Sequence, residues 1–212
     1  MSEILEILHF DEETKAFEQS GETLQASAHL YRIWKEDPTS LPKLLRAAME
    51  LWLTFLDISE NLEINCEPFS MTHGLPEYEK MFQEEIKTGL SLFCENSMFL
   101  AFFGHMFTIQ FTFFTWLWDR SQGTIDSWIN NMMKKLDNGN LACQLDPGNL
   151  FAKAMQICGT DPVSVCAHKK DCAAFWREIS IDRWEHGYVG EYLWYWLEGP
   201  TQKAKSGTSA VE

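Results

Sequence analysis

Four side chains with the right chemistry to hold zinc crowd into one stretch: Cys158, Cys166, His168 and Cys172 fall within fifteen residues. Thiolate and imidazole both suit Zn2+. Their spacing leaves seven, one and three residues between successive members, with no Cys-x-x-Cys pair to bring two thiolates to one ion. Free cysteine is also among the most buried residue types, so core thiols are the preferred reading and neither metal nor cofactor is expected. A metal or thiol enzyme built on these four residues stands third among the functional readings. Other catalytic signatures are missing: there is no His-Glu-x-x-His, no Gly-x-Ser-x-Gly and no glycine-rich phosphate loop. An enzyme is not expected.

The acids carry more information. The chain has 31 Asp and Glu against 17 Lys and Arg, for a formal charge of −14. Residues 1–100 hold 19 of the acids and 7 of the bases. Direct nucleic-acid binding is not expected, because its affinity comes from cations neutralising phosphates. An acidic surface favours cationic partners, raising their encounter rate and suppressing wrong ones. The densest run comprises Asp57, Glu60, Glu63, Glu67, Glu77, Glu79, Glu84 and Glu85, opposed only by Lys80 and Lys87. These eight acids are the expected partner-binding residues; the competing reading is a solvated face that keeps the protein soluble.

The elements that must position these groups read as helices nearly throughout. Strand-like alternation is scarce, and Pro and Gly fall where helices end. Helices are expected over Asp11–Ser20, Glu22–Glu36, Leu41–Ser59, Pro76–Cys94, Ser97–Trp118, Thr124–Leu136, Asn149–Ile157, Lys170–Ser180 and Ile181–Leu197. Asp37 and Asp146 precede prolines, which push them out of the helical region, whereas Pro42 and Pro76 suit first-turn positions. Residues 1–198 read as one helical domain and 199–212 as a disordered tail.

From Asn96 to Trp118 no residue is charged, a length sufficient to cross a bilayer. His105, Gln110 and three threonines interrupt it, and no Lys or Arg cluster flanks it, so a buried central helix is expected instead of a membrane span. Its phenylalanines fill all sides, as suits a helix surrounded by others. His105 is expected to hydrogen-bond across the bundle, and Trp184, Tyr188, Tyr192 and Tyr195 to form a core-facing stripe. The first residues carry Glu3 and Glu6 where a secretory signal carries Lys or Arg, so a cytoplasmic protein with reduced cysteines is expected.

Phe17, Gly21, Ala26, Leu30, Ile33 and Pro38 carry the spacing of a tetratricopeptide repeat, which this hairpin resembles. A poorer copy runs from Gly123 to Pro147. The fold expected is therefore all-α: helical hairpins with degenerate tetratricopeptide-like repeats around a central aromatic-rich buried helix. Adding Trp34 through Pro38, Phe102 through Met106 and Leu145 through Asn149, the arrangement resembles small bacterial immunity proteins of polymorphic or contact-dependent toxin systems. That resemblance implies a cytosolic inhibitor that binds a cognate toxin domain and occludes its active surface. A basic nuclease is the toxin that the acidic charge would suit. The alternative is a tetratricopeptide-like adaptor or chaperone that takes a peptide or helix. The oligomeric state is open on sequence alone.

Overall fold

The computed structural model describes residues 3–9, 11–61, 75–136, 140–149, 151–153 and 187–193. Eight helices are labelled here: α1 (Glu3–Leu8), α2 (Glu12–Gln19), α3 (Thr23–Glu36), α4 (Leu41–Asn61), α5 (Pro76–Leu92), α6 (Ser97–Ile109), α7 (Ile125–Leu136) and α8 (Asn140–Leu145). Residues 151–153 and 187–193 are also helical, and there is no strand among the described residues. The fold is all-α. The expected helices over 170–180, the zinc-type residues Cys158, Cys166, His168 and Cys172, and the tail 199–212 lie outside the described residues, as do Trp184 and Tyr195.

Local chemistry sets the boundaries. Asp11 caps α2 by accepting the Thr14 backbone N–H at 2.8 Å, and Asn96 caps α6 by accepting that of Phe99 at 3.0 Å. Pro76 opens α5, where its missing N–H costs nothing. Gly21 takes φ +76° between α2 and α3, a conformation that costs other residues about 1 kcal/mol. In the hairpin it makes, Ala26 and Leu30 are buried and Ile33 packs against the core from a partly exposed position. α3 then lies along α4, the longest helix.

α4 and α6 form the middle of one apolar cluster that extends from Ile7 to Leu193. Every residue of α6 from Ser97 to Phe107 is buried, as expected of a central helix. The expectation that this helix runs on to Trp118 is corrected. At Gln110 (φ −145°, ψ 70°) the chain turns by 111° into a 3-10 helix, Phe111–Leu117. The turn brings Phe114 back onto Phe103, Phe107 and Phe82 at centroid distances of 5.4, 5.5 and 5.5 Å, and Phe113 onto Phe55 at 6.0 Å. A straight helix would carry these rings away from that cluster, and the β-branched residues at the bend weaken the helical alternative. Among the described residues no single helix is long and apolar enough to cross a membrane.

Candidate functional site

Among the described residues, the expected partner-binding acids do not share one exposed face. Glu63 and Glu67 lie outside the described residues, as does the side chain of Glu60. Glu77 and Glu79 sit in the first turn of α5, Glu77 exposed and Glu79 half-buried with Gln83 donating to it at 3.1 Å. Glu84 is neutralised internally: Lys35 and the Tyr31 hydroxyl, both from α3, donate to its carboxylate and hold its pKa below the ordinary range. Asp57 is exposed but accepts the Tyr188 hydroxyl.

Glu85 is a correction. It is fully buried, so it is not a partner-binding surface residue. It lies with Phe82, Ile86 and Gly89 on the buried side of α5, the spacing of one helical stripe. Neither carboxyl oxygen has a hydrogen-bond partner among the described residues, and burial, with the Glu84 charge next to it, pushes its pKa well up.

The charged group that sequence reasoning missed is inside. Arg46 on α4 is 2% exposed and donates to Glu18 of α2 at 2.8 Å, while Glu50, one turn further along α4 and 0% exposed, approaches it to 3.3 Å. Burial raises the Glu18 carboxyl and pushes Glu50 up to about 8; the Arg46 guanidinium opposes both shifts, and Glu18 adds to the shift of Glu50. One proton on Glu50 leaves one carboxylate against one guanidinium, a neutral set that the interior tolerates. The signal was present in the sequence: Arg46 and Glu50 interrupt the apolar stripe of α4 at i, i+4 spacing.

This set also fixes the helical residues 187–193. The Tyr188 backbone N–H donates to Glu18 Oε2 at 2.8 Å, and its hydroxyl donates to Asp57 and, at 3.3 Å, to the Leu53 carbonyl. Gly187 has φ +61°, and a Cβ there would stand 2.3 Å from Glu18 Oε2. Further along, the Tyr192 hydroxyl lies 2.8 Å from His105 Nε2, with both rings packed edgewise on Trp52. His105 therefore does bond across the bundle as expected, and burial pushes its pKa down to about 3, keeping it neutral.

Two cavities border this region. One of about 270 Å³ between α1, α3 and α4 is lined by Glu6, His9, Asp11, Lys43 and Arg46 over an apolar wall of Leu30 and Ile33. The other, about 190 Å³, lies between α2, the start of α3 and residues 187–193. Among the described residues no group of three or more His, Cys, Asp or Glu is placed to hold a metal ion. No family model, curated protein or solved structure matches this chain.

Proposed function

We propose that this protein acts by stoichiometric binding, its acidic helical surface covering a positively charged protein as an immunity protein covers a nuclease toxin. The observation that supports this most is how its few bases are used. In residues 1–100, four of the 7 bases are engaged by acids of the same chain: Lys15 by Glu12, Lys35 by Glu84, Lys43 by Asp37, and Arg46 by Glu18 and Glu50. Glu22, Glu36, Glu77 and Glu95 are left exposed, with no ion pair among the described residues. Surface acids without countercharges repel one another, and a basic partner relieves that repulsion while steering its own approach.

The test uses immobilised protein to capture partners from the source organism, followed by association kinetics with the purified partner. A basic protein is expected, bound one to one, whose toxicity is suppressed by co-expression. Reversing Glu36, Glu77 and Glu95 together to Lys is expected to slow association about tenfold at low salt and less at high salt, with helicity retained. An unchanged rate constant would reject the acidic-surface mechanism.

A second reading, a tetratricopeptide-like adaptor, is favoured by the α2–α3 hairpin stacked on α4 beside the 270 Å³ cavity. Capture of a short peptide or a single helix in place of a folded basic domain would select it.

A further inference from the structure

His29 on α3 meets two opposite demands at one ring nitrogen. Its side chain is 13% exposed, and Nε2 stands 3.2 Å from both carboxylate oxygens of Asp11, the residue that caps α2. An ionised carboxylate only accepts, so Nε2 carries a hydrogen and donates it. The other nitrogen, Nδ1, lies 3.5 Å from Glu13 Oε1 on α2 and 3.4 Å from Arg32 Nη2, one turn along α3. A carboxylate there needs a hydrogen on Nδ1, whereas a guanidinium has only donors and needs the bare lone pair. No single protonation state of the ring satisfies both.

The surroundings leave the choice to the proton. Asp11 is fixed, because it also accepts the backbone N–H and the hydroxyl of Thr14 at 2.8 and 3.2 Å, so the ring is held by its Nε2 side in either state. The two competitors for Nδ1 are at the surface: the Glu13 side chain is 59% exposed and Arg32 is exposed, so each can approach or leave at little cost. Among the described residues no other charged group forms an ion pair or hydrogen bond with the ring. On α2, Lys15 pairs with Glu12. Glu6, His9, Lys43 and Arg46, from the end of α1 and from α4, line the larger cavity, which Asp11 borders and His29 does not. On the α5 side of α3, Glu84 is taken by Lys35 and Tyr31.

We infer that His29 is a proton-driven switch between Glu13 and Arg32. With a hydrogen on Nδ1 the imidazolium bridges Asp11 and Glu13, tying the first turn of α2 to α3, and Arg32 turns to solvent. Without it, Nδ1 accepts from Arg32 and Glu13 is released. This end of the α2–α3 hairpin therefore presents a guanidinium to solvent below the switch and a carboxylate above it. The switch is a property of the chain alone and does not depend on the stoichiometric-binding reading.

The isotope-labelled full chain tests it without a partner. At about pH 8.5, above the range in which imidazole ordinarily charges, the ring is expected to carry its hydrogen on Nε2. Arg32→Met is then expected to move the Nδ1 nitrogen resonance downfield as its donor is lost, while Glu13→Gln leaves it in place. At about pH 5.5 the dependence reverses: Glu13→Gln is expected to speed α2 amide exchange, corrected for intrinsic rates, about threefold more than it does at the higher pH, and Arg32→Met does not speed it. The ratio between the two pH values is the reading, because Glu13 in the first turn also favours the α2 helix through its dipole at both. Equal effects of Glu13→Gln at the two pH values, a neutral ring with its hydrogen on Nδ1, or an Nδ1 resonance indifferent to Arg32→Met would overturn the switch.

Discussion

Arg46 Nη2 stands 3.3 Å from Glu50 Oε2 one turn away on α4, and neither side chain reaches water. With Glu18 as third member, the set joins α2 to α4 and, through the Tyr188 N–H, both to residues 187–193. Removing the guanidinium leaves two carboxyls facing each other in the core. Arg46→Met is expected to cost about 3–5 kcal/mol in urea denaturation, and adding Glu18→Met to recover part of it, because an apolar replacement of a buried ion pair is nearly neutral whereas half a pair is not.

Stability against pH has opposing contributions: the buried carboxyls of Glu18, Glu50 and Glu85, all raised by burial, act in one direction and His105 in the other. Glu50 holds its proton up to about 8 in the folded chain against 4.5 ordinarily, so the fold binds a proton that the unfolded chain has released. Its contribution falls as pH rises through that window, by at most about 1.4 kcal/mol per pH unit. His105 acts in the other direction. Its pKa drops from 6.5 to about 3 on burial, so stability falls as pH decreases through that range, where only the unfolded chain takes up the proton. Denaturation midpoints of Glu50→Gln are expected to decline less steeply above pH 6.5 and more steeply below it than those of the wild type. Parallel profiles would contradict this assignment of protons.

Glu85 offers a stabilising substitution. A buried carboxyl with no hydrogen-bond partner among the described residues is a desolvation cost without return. Glu85→Met keeps the length and fills the same space, and is expected to raise stability by about 1–3 kcal/mol. Its association rate with a basic partner is expected to match the wild type, which separates this residue from the exposed Glu77. A loss of stability would show that the carboxyl has a role in the core.

Gly89 on α5 lies directly against the Phe99 ring of α6. A Cβ built there would lie 2.1 Å from Cε2 of the Phe99 ring, itself stacked on Phe103 at 5.8 Å. Gly89→Ala gains helix propensity yet must displace that ring, and a net loss of about 1–3 kcal/mol is expected in thermal or chemical denaturation. Gly21→Ala, whose Cβ would meet nothing within 4 Å, is expected to cost only the strain of its positive φ, about 1 kcal/mol.

The sequence by itself determined the all-α class, the ends of α2 through α5, the burial of α6 and the bond across the bundle from His105. Those follow from periodicity, caps, prolines and the need of a buried imidazole for a partner, all of which act over a few residues. Only the tertiary structure decided which acids face water. Glu77, Glu84 and Glu85 lie within nine positions of one another on α5, yet one is exposed, one is paired with Lys35 and one is sealed in the core. The bend at Gln110 was decided in the same way, by rings of Phe55 and Phe82 that are distant in sequence. Charge and hydropathy are properties of a residue, whereas burial and pairing belong to the elements that meet it; an acid's role is therefore settled only where helices pack.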